Sequence, residues 1–223
     1  MAKRQCTESD LVARHGRGTV RIASRAVATD TQREKRRLIL RAAITVFARS
    51  GYHTSRVSDV AKEAGVAYGL VYHYFGSKED LLEQIFRRTW SRMLEAVEEV
   101  ERTDAPAREQ LAGVARIVLG AWQVDPDLVR VLVREVARSP QLGREVDEID
   151  RAFAALERLI SRGQERGELR ADADPRLAAW ILYGALEEIL TGWVFDRLPA
   201  EPEDVRRAEE TVVALLSDGL AVD

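Results

Sequence analysis

From Thr31 onward, apolar residues return every three or four positions, and prolines stand where those runs begin. Leu38, Ala42, Ala43, Val46 and Phe47 lie on one face of a helix, as do Leu81, Leu82, Ile85, Phe86, Trp90, Met93 and Val97 further on. Asp104-Ala105-Pro106, Asp125-Pro126, Ser139-Pro140, Asp174-Pro175 and Glu201-Pro202 each put proline near a helix start, where its missing amide proton costs little. These marks predict helices over roughly 106–123, 126–138, 141–167, 175–195 and 203–220. No alternating apolar pattern with hairpin turns occurs. The expected fold is all-α, with about nine helices.

Charge is distributed unevenly along the chain. The net charge is −3, yet residues 1–82 hold 15 Lys and Arg against 8 Asp and Glu, and the remainder holds 19 against 29. A basic head on an acidic body implies that only the head meets a polyanion. Cys6 is the single cysteine, which excludes an internal disulfide and a cysteine-rich zinc site. His15, His53 and His73 do not pair at helical spacing, so no metal site is expected. No run approaches the ~18 apolar residues of a membrane helix, and residues 1–30 lack the apolar centre of a secretory signal. The cytoplasm is the expected location. Residues 1–30, with Arg14, Arg17, Arg21 and Arg25, read as a basic arm.

Residues 51–78 carry the most information. Ser50-Gly51 ends one helix, Thr54 and Ser55 are N-cap candidates for a short second one, and Gly65 turns the chain into a short third, Ala67 to Tyr74. Ser77 then caps a long fourth helix of about six turns, with Glu79 and Asp80 in its first turn. Two short helices about a glycine turn suit a helix-turn-helix. The third helix carries aromatic and polar residues where a core helix would carry aliphatic ones. Gly69 costs that helix about 1 kcal/mol of propensity relative to alanine, which is intelligible if another backbone must come close.

The stretch Gly51-Tyr52-His53-Thr54-Ser55, Val60-Ala61, Ala64-Gly65-Val66, Tyr68-Gly69-Leu70-Val71-Tyr72-His73-Tyr74-Phe75 and Ser77-Lys78 resembles the DNA-binding domain of the TetR family. The resemblance covers about 45 residues, from Ile39 to Leu82, and departs at Ala67, where many members carry a hydroxyl. After the basic arm over 1–30, it implies a three-helix DNA-binding head over 31–76 and a ligand-sensing, dimerising body over 77–223. It also implies phosphate contacts from Thr54, Ser55, the Ala67 amide and Lys78. Base edges fall to Tyr68, Gly69 and Leu70, and backbone contacts to Tyr72, His73 and Tyr74. Val60, Ala61, Ala64, Val71 and Phe75 are packing residues on this reading. Lys78 is a solvated charge in the free protein, and Arg33, Arg36, Arg37 and Arg41 form a solvated helix face with some members near DNA phosphates.

In the body, the helix near 175–195 is apolar around most of its circumference, so it is expected to face both its own core and a second copy. Together with 203–220 it is the expected dimer interface, a four-helix bundle with its symmetry mate. Leu177 to Phe195, Val131-Leu132-Val133-Arg134-Glu135 and Gly163-Gln164-Glu165-Arg166-Gly167-Glu168-Leu169 resemble the fatty-acid-degradation repressor (FadR) branch. That resemblance implies a long-chain acyl-CoA effector that releases palindromic operator DNA, with no cofactor. Leu119, Trp122, Leu132, Phe153, Leu156 and Tyr183 are the candidate wall residues, and Arg116, Arg130, Arg134 and Arg138 the candidate phosphate partners. The alternative is a multidrug-sensing repressor, whose pocket would carry buried acids; Glu135, Glu187 and Glu188 are not obviously such. Catalysis is not expected. Glu187 and Glu188, adjacent on a helix, point about 100° apart, and no nucleophile elbow or phosphate-binding glycine loop occurs.

Overall fold

The computed structural model describes residues 31–136 and 147–220, and within them nine α-helices and no strand. They are α1 (31–50), α2 (Val57–Glu63), α3 (Tyr68–Phe75), α4 (Lys78–Glu101), α5 (Ala107–Val124), α6 (Pro126–Val136), α7 (Asp147–Glu165), α8 (Pro175–Val194) and α9 (Pro202–Gly219). The basic arm over 1–30, the helix start at Pro140 and Arg138 lie outside the described residues.

Local chemistry sets most of the helix ends. Pro126, Pro175 and Pro202 are first helical residues, and Pro106 is the N-cap of α5. Ser77 Oγ accepts from the Asp80 amide at 3.0 Å, and the Asp174 carboxylate accepts from the Arg176 and Leu177 amides. Gly51 takes φ +78° after α1, and Gly65 takes φ +64° between α2 and α3. At Gly65 nothing lies within 4 Å of where a Cβ would sit, so the left-handed backbone alone calls for glycine. One predicted cap is corrected. Residues 51–55 form a turn of their own, so α2 is capped by Arg56, whose amide donates to Asp59 Oδ2 at 2.9 Å.

Two main apolar clusters organise the chain. The head cluster joins Ile39, Phe47 and Val60 to Val71 and Phe75, each side chain stabilising the fold by about 1.5–3 kcal/mol relative to exposure. It does not stop at residue 76. Leu81, Leu82 and Ile85 of α4 belong to it, and so does Val131 of α6. The body cluster joins Leu111 and Leu119 of α5, Leu159 and Ile160 of α7, Leu182, Leu186 and Trp193 of α8, and Val205 of α9. A smaller group, Phe86, Trp90 and Leu94 of α4 with Ala152 of α7, lies along the middle of α4. Helix α4 thus shares apolar packing with both ends of the molecule.

Helix α8 corrects the expectation about membrane-length segments. By length and composition it is long and apolar enough to cross a bilayer, with a mean hydropathy of 1.2 over 18 residues. Its apolar character has two separate uses in this fold. Ala178, Ala179, Leu182, Leu186 and Trp193 are buried in the body, whereas Leu177, Trp180 and Ile181 are exposed.

Candidate functional site

In the head, α3 buries Val71 and Phe75 and turns its other side outward. Ala67, Tyr68, Gly69, Tyr72 and His73 are exposed, and Leu70 and Tyr74 are half-buried. Tyr68 is 53% exposed, and its hydroxyl donates to that of Tyr72 at 3.2 Å, with the rings edge-to-face at 5.1 Å. The pair presents two phenol oxygens together, enough to donate to and accept from a neighbouring polar surface. Gly69 has open space where a Cβ would sit, so no contact inside the chain calls for glycine there.

The expected phosphate contacts divide. Thr54 is exposed, and its hydroxyl donates to the carbonyls of Ser50 and Gly51. Ser55 is only 4% exposed and donates to the Gly51 carbonyl at 2.5 Å, so its hydroxyl is committed to the turn and faces inward. Lys78 corrects the reading of a solvated charge. Its ammonium donates to the carbonyls of Tyr52 at 2.9 Å, Ser55 at 3.1 Å and His53 at 3.4 Å, and lies 4.4 Å from the centre of the Tyr52 ring. Three carbonyls of the turn converge on that one cation. Beside it, the Tyr52 hydroxyl donates to Glu79 at 3.2 Å, and burial next to that carboxylate pushes the phenol up to about 12.

In the body, α4, α5, α6 and α8 enclose an apolar cavity of about 280 Å³. Phe86, Trp90 and Met93 of α4, Val118 and Ala121 of α5, Leu132 of α6 and Tyr183 of α8 form its wall. Phe153 and Leu156 line a narrow recess that shares Trp90, Met93, Val118 and Tyr183 with it. Four expected wall residues, Leu132, Phe153, Leu156 and Tyr183, are therefore brought together. The other two are not. Leu119 is fully buried in the body cluster, and Trp122 lies beside Trp193, ring centres 6.0 Å apart.

The expected cations are also redistributed. The Arg130 guanidinium lies over Trp122 at 5.0 Å and pairs with Asp127 at 2.9 Å, away from the cavity wall. Arg116 is exposed on α5, with its charge acting on Glu209 of α9. Arg134 donates to the Ala48 carbonyl at 3.3 Å, tying α6 to the end of α1, and lines a side opening with Glu187 and Glu188. The arginine on the cavity wall is Arg92, which the sequence reading missed. Its signal was available, since Arg88 and Arg92 flank the apolar stripe of α4 at i, i+4 spacing.

Glu187 faces the cavity, and burial, reinforced by Glu188, raises its carboxyl above the ordinary carboxylate range. Burial raises the Tyr183 phenol as well, with Glu187 adding to the effect. No cluster of His, Cys, Asp and Glu suited to a metal ion occurs among the described residues.

Residues 39–85 match the profile of bacterial regulatory proteins of the tetR family, and residues 104–212 that of the tetracyclin repressor-like C-terminal domain. The chain is 33% identical over 191 residues to the fatty acid metabolism regulator protein of Bacillus subtilis (strain 168), covering 85% of this chain and 97% of that protein. It is 27% identical over 197 residues to the transcriptional repressor KstR of Rhodococcus jostii (strain RHA1), covering 86% and 88%. Among solved structures it is similar to FadR from Bacillus subtilis in complex with stearoyl-CoA, with a TM-score of 0.73 and 32% identity over 82% of this chain and 98% of that one. FadR from Bacillus halodurans follows with a TM-score of 0.71 and 28% identity, again over 82% and 98%. A relative so alike over nearly its whole length, with a matching profile on each part of the chain, is decisive: the chain belongs to the TetR family and is a transcriptional regulator, not an enzyme.

Proposed function

We propose that the protein is a homodimeric repressor of fatty acid degradation genes. It binds a palindromic operator and is released by a long-chain acyl-CoA. One observation carries the reading: the chain is similar over 82% of its length to a regulator solved with stearoyl-CoA, and it holds an apolar cavity in its own body. An acyl chain would lie against Trp90, Leu132 and Tyr183, a wall without fixed charge except at Arg92 and Glu187.

The DNA-facing set on this reading is Tyr68, Gly69 and Leu70 for base edges, with Thr54, the Ala67 amide, Tyr72, His73 and Tyr74 on the backbone. Lys78 supports that surface by holding the 52–55 turn. The second copy would cover the exposed stripe Leu177, Trp180, Ile181 and Gly184 of α8, spaced i, i+3, i+4 and i+7, together with Leu215 of α9. A two-fold pair sets its recognition helices about 34 Å apart, one turn of the duplex. The ligand acts by binding the DNA-incompetent arrangement more tightly, and α4, packed into both clusters, is the transmitter.

A gel shift on the protein's own promoter, with oleoyl-CoA, oleate and CoA added separately, tests this. Release by oleoyl-CoA alone is the expected result, and operator binding untouched by the thioester would end the acyl-CoA reading. Glu187 favours a second reading, a sensor of lipophilic cations, because it sets a carboxyl on a mostly apolar wall. Release by tetraphenylphosphonium and not by oleoyl-CoA would select it.

A further inference from the structure

Where α1 passes α4, a groove of about 420 Å³ lies between head and body, and it meets the apolar cavity at two shared residues, Thr89 and Arg92. Its floor is apolar, with Ile44, Ile85 and Leu128 among its residues, and its rim carries Arg37 and Arg41 from α1 and Arg88 and Arg92 from α4. Arg88 and Arg92 are exposed, and their side chains make no hydrogen bond or ion pair among the described residues. Arg37 pairs with its neighbour Glu34 at 2.9 Å. Arg41 bridges head to body, 2.5 Å from Asp125 Oδ2, while the other oxygen of Asp125 accepts the Leu128 amide at the start of α6.

An apolar chamber that shares Thr89 and Arg92 with a groove carrying four guanidinium groups matches a molecule with an apolar tail and a polyanionic head. We infer that this groove is the seat of the ligand's phosphate groups, and that a phosphate held there competes with Asp125 for Arg41. The inference rests on the acyl-CoA reading and adds to it a place for the charge and a route to the head. Two phosphates near the rim would draw Arg88 and Arg92 into charge-assisted hydrogen bonds, stronger than those between neutral groups. Arg41 would then leave a carboxylate for a more highly charged partner, removing one strut between α1 and the α5–α6 corner. Binding and loosening of the head are the same event in this arrangement.

The test measures binding of two thioesters by titration calorimetry: oleoyl-CoA, and oleoyl-N-acetylcysteamine, which keeps the tail and thioester but has no phosphate. In the double variant Arg88→Gln/Arg92→Gln, oleoyl-CoA should bind about 10- to 100-fold more weakly, with the N-acetylcysteamine ester unaffected. In Asp125→Asn, oleoyl-CoA should bind about 2- to 5-fold more tightly, as expected for removing a competing surface ion pair. Asparagine still caps α6, so the fold is kept. Equal binding of oleoyl-CoA to wild type and double variant would overturn the seat, and so would an equal loss for both thioesters. Weaker oleoyl-CoA binding to Asp125→Asn would overturn the competition. If wild type binds neither thioester, the acyl-CoA reading itself fails, and the seat with it.

Discussion

Helices α3 and α8 both show aromatic rings to the outside, and the contrast between them separates two kinds of unfinished surface. On α3 the exposed rings are Tyr68 and Tyr72, whose hydroxyls touch, with His73 beside them. Every exposed ring there ends in a group that can donate or accept. On α8 the exposed large apolar side chains are Leu177, Trp180 and Ile181, and among these three only the indole N–H is polar. A hydrated, charged partner suits the first face, since aromatic bodies with polar tips tolerate water. The second loses free energy for as long as it stays wet, at roughly 25 cal/mol per Å².

That contrast can be broken most sharply at Ile181, which is 62% exposed and outside both clusters. Ile181→Asp should fold normally, sediment as a single subunit and bind operator about 100-fold more weakly, because two linked heads gain that much over one. An unchanged sedimentation coefficient would show that α8 has another partner. A smaller effect is expected at Lys78, beneath the α3 face. Lys78→Ala should lower stability by about 2 kcal/mol in urea titration, the scale of charge-assisted hydrogen bonds lost from a half-buried turn. A loss of operator affinity with no loss of stability would return Lys78 to a direct phosphate role.

Gly69→Ala separates the fold from the interface on α3 itself. Nothing inside the chain obstructs the added methyl, so the variant should be up to about 1 kcal/mol more stable. It should still bind operator less well, as read by gel shift. Equal operator affinity would mean that no backbone approaches Gly69. The smallest expected effect concerns Glu187, where α8 borders the cavity and its side opening. Folding raises the Glu187 carboxyl, so it favours the protonated form: the benefit is complete below the ordinary value of 4.5 and is lost as pH rises through the raised one. Urea midpoints of wild type and Glu187→Gln should therefore separate as pH climbs above 4.5, with the variant the more stable. Parallel midpoints from pH 4 to 8 would contradict this.

The helices were legible because their ends are written locally. Pro175 and Pro202 begin α8 and α9, Ser77 caps α4, and Gly51 closes α1 within one turn of where the sequence marks it. Partners distant in sequence were not legible. Lys78 meets carbonyls 23 to 26 residues earlier, and no spacing rule points a lysine at an unformed turn. Ser55 is a good cap by type, yet the preceding turn folds it inward before α2 begins. Which arginine lies on the cavity wall was not legible for a related reason. Arg116 and Arg130 stand on helices rich in apolar residues, but helix rotation decides direction, and it carries Arg130 over Trp122 and leaves Arg92 facing the cavity.

The sharing of α4 between clusters bears on how such a protein can be re-engineered. A chimaera spliced at residue 76 would take Leu81, Leu82 and Ile85 from the wrong parent and leave the transplanted reader without its own floor. A junction just after Ile85 keeps that floor with its owner, though Val131 still reaches across from α6 and would have to be matched by hand. Exchange of specificities in this scaffold is thus a problem of grafting one helix midway along its length, not of joining two beads on a string.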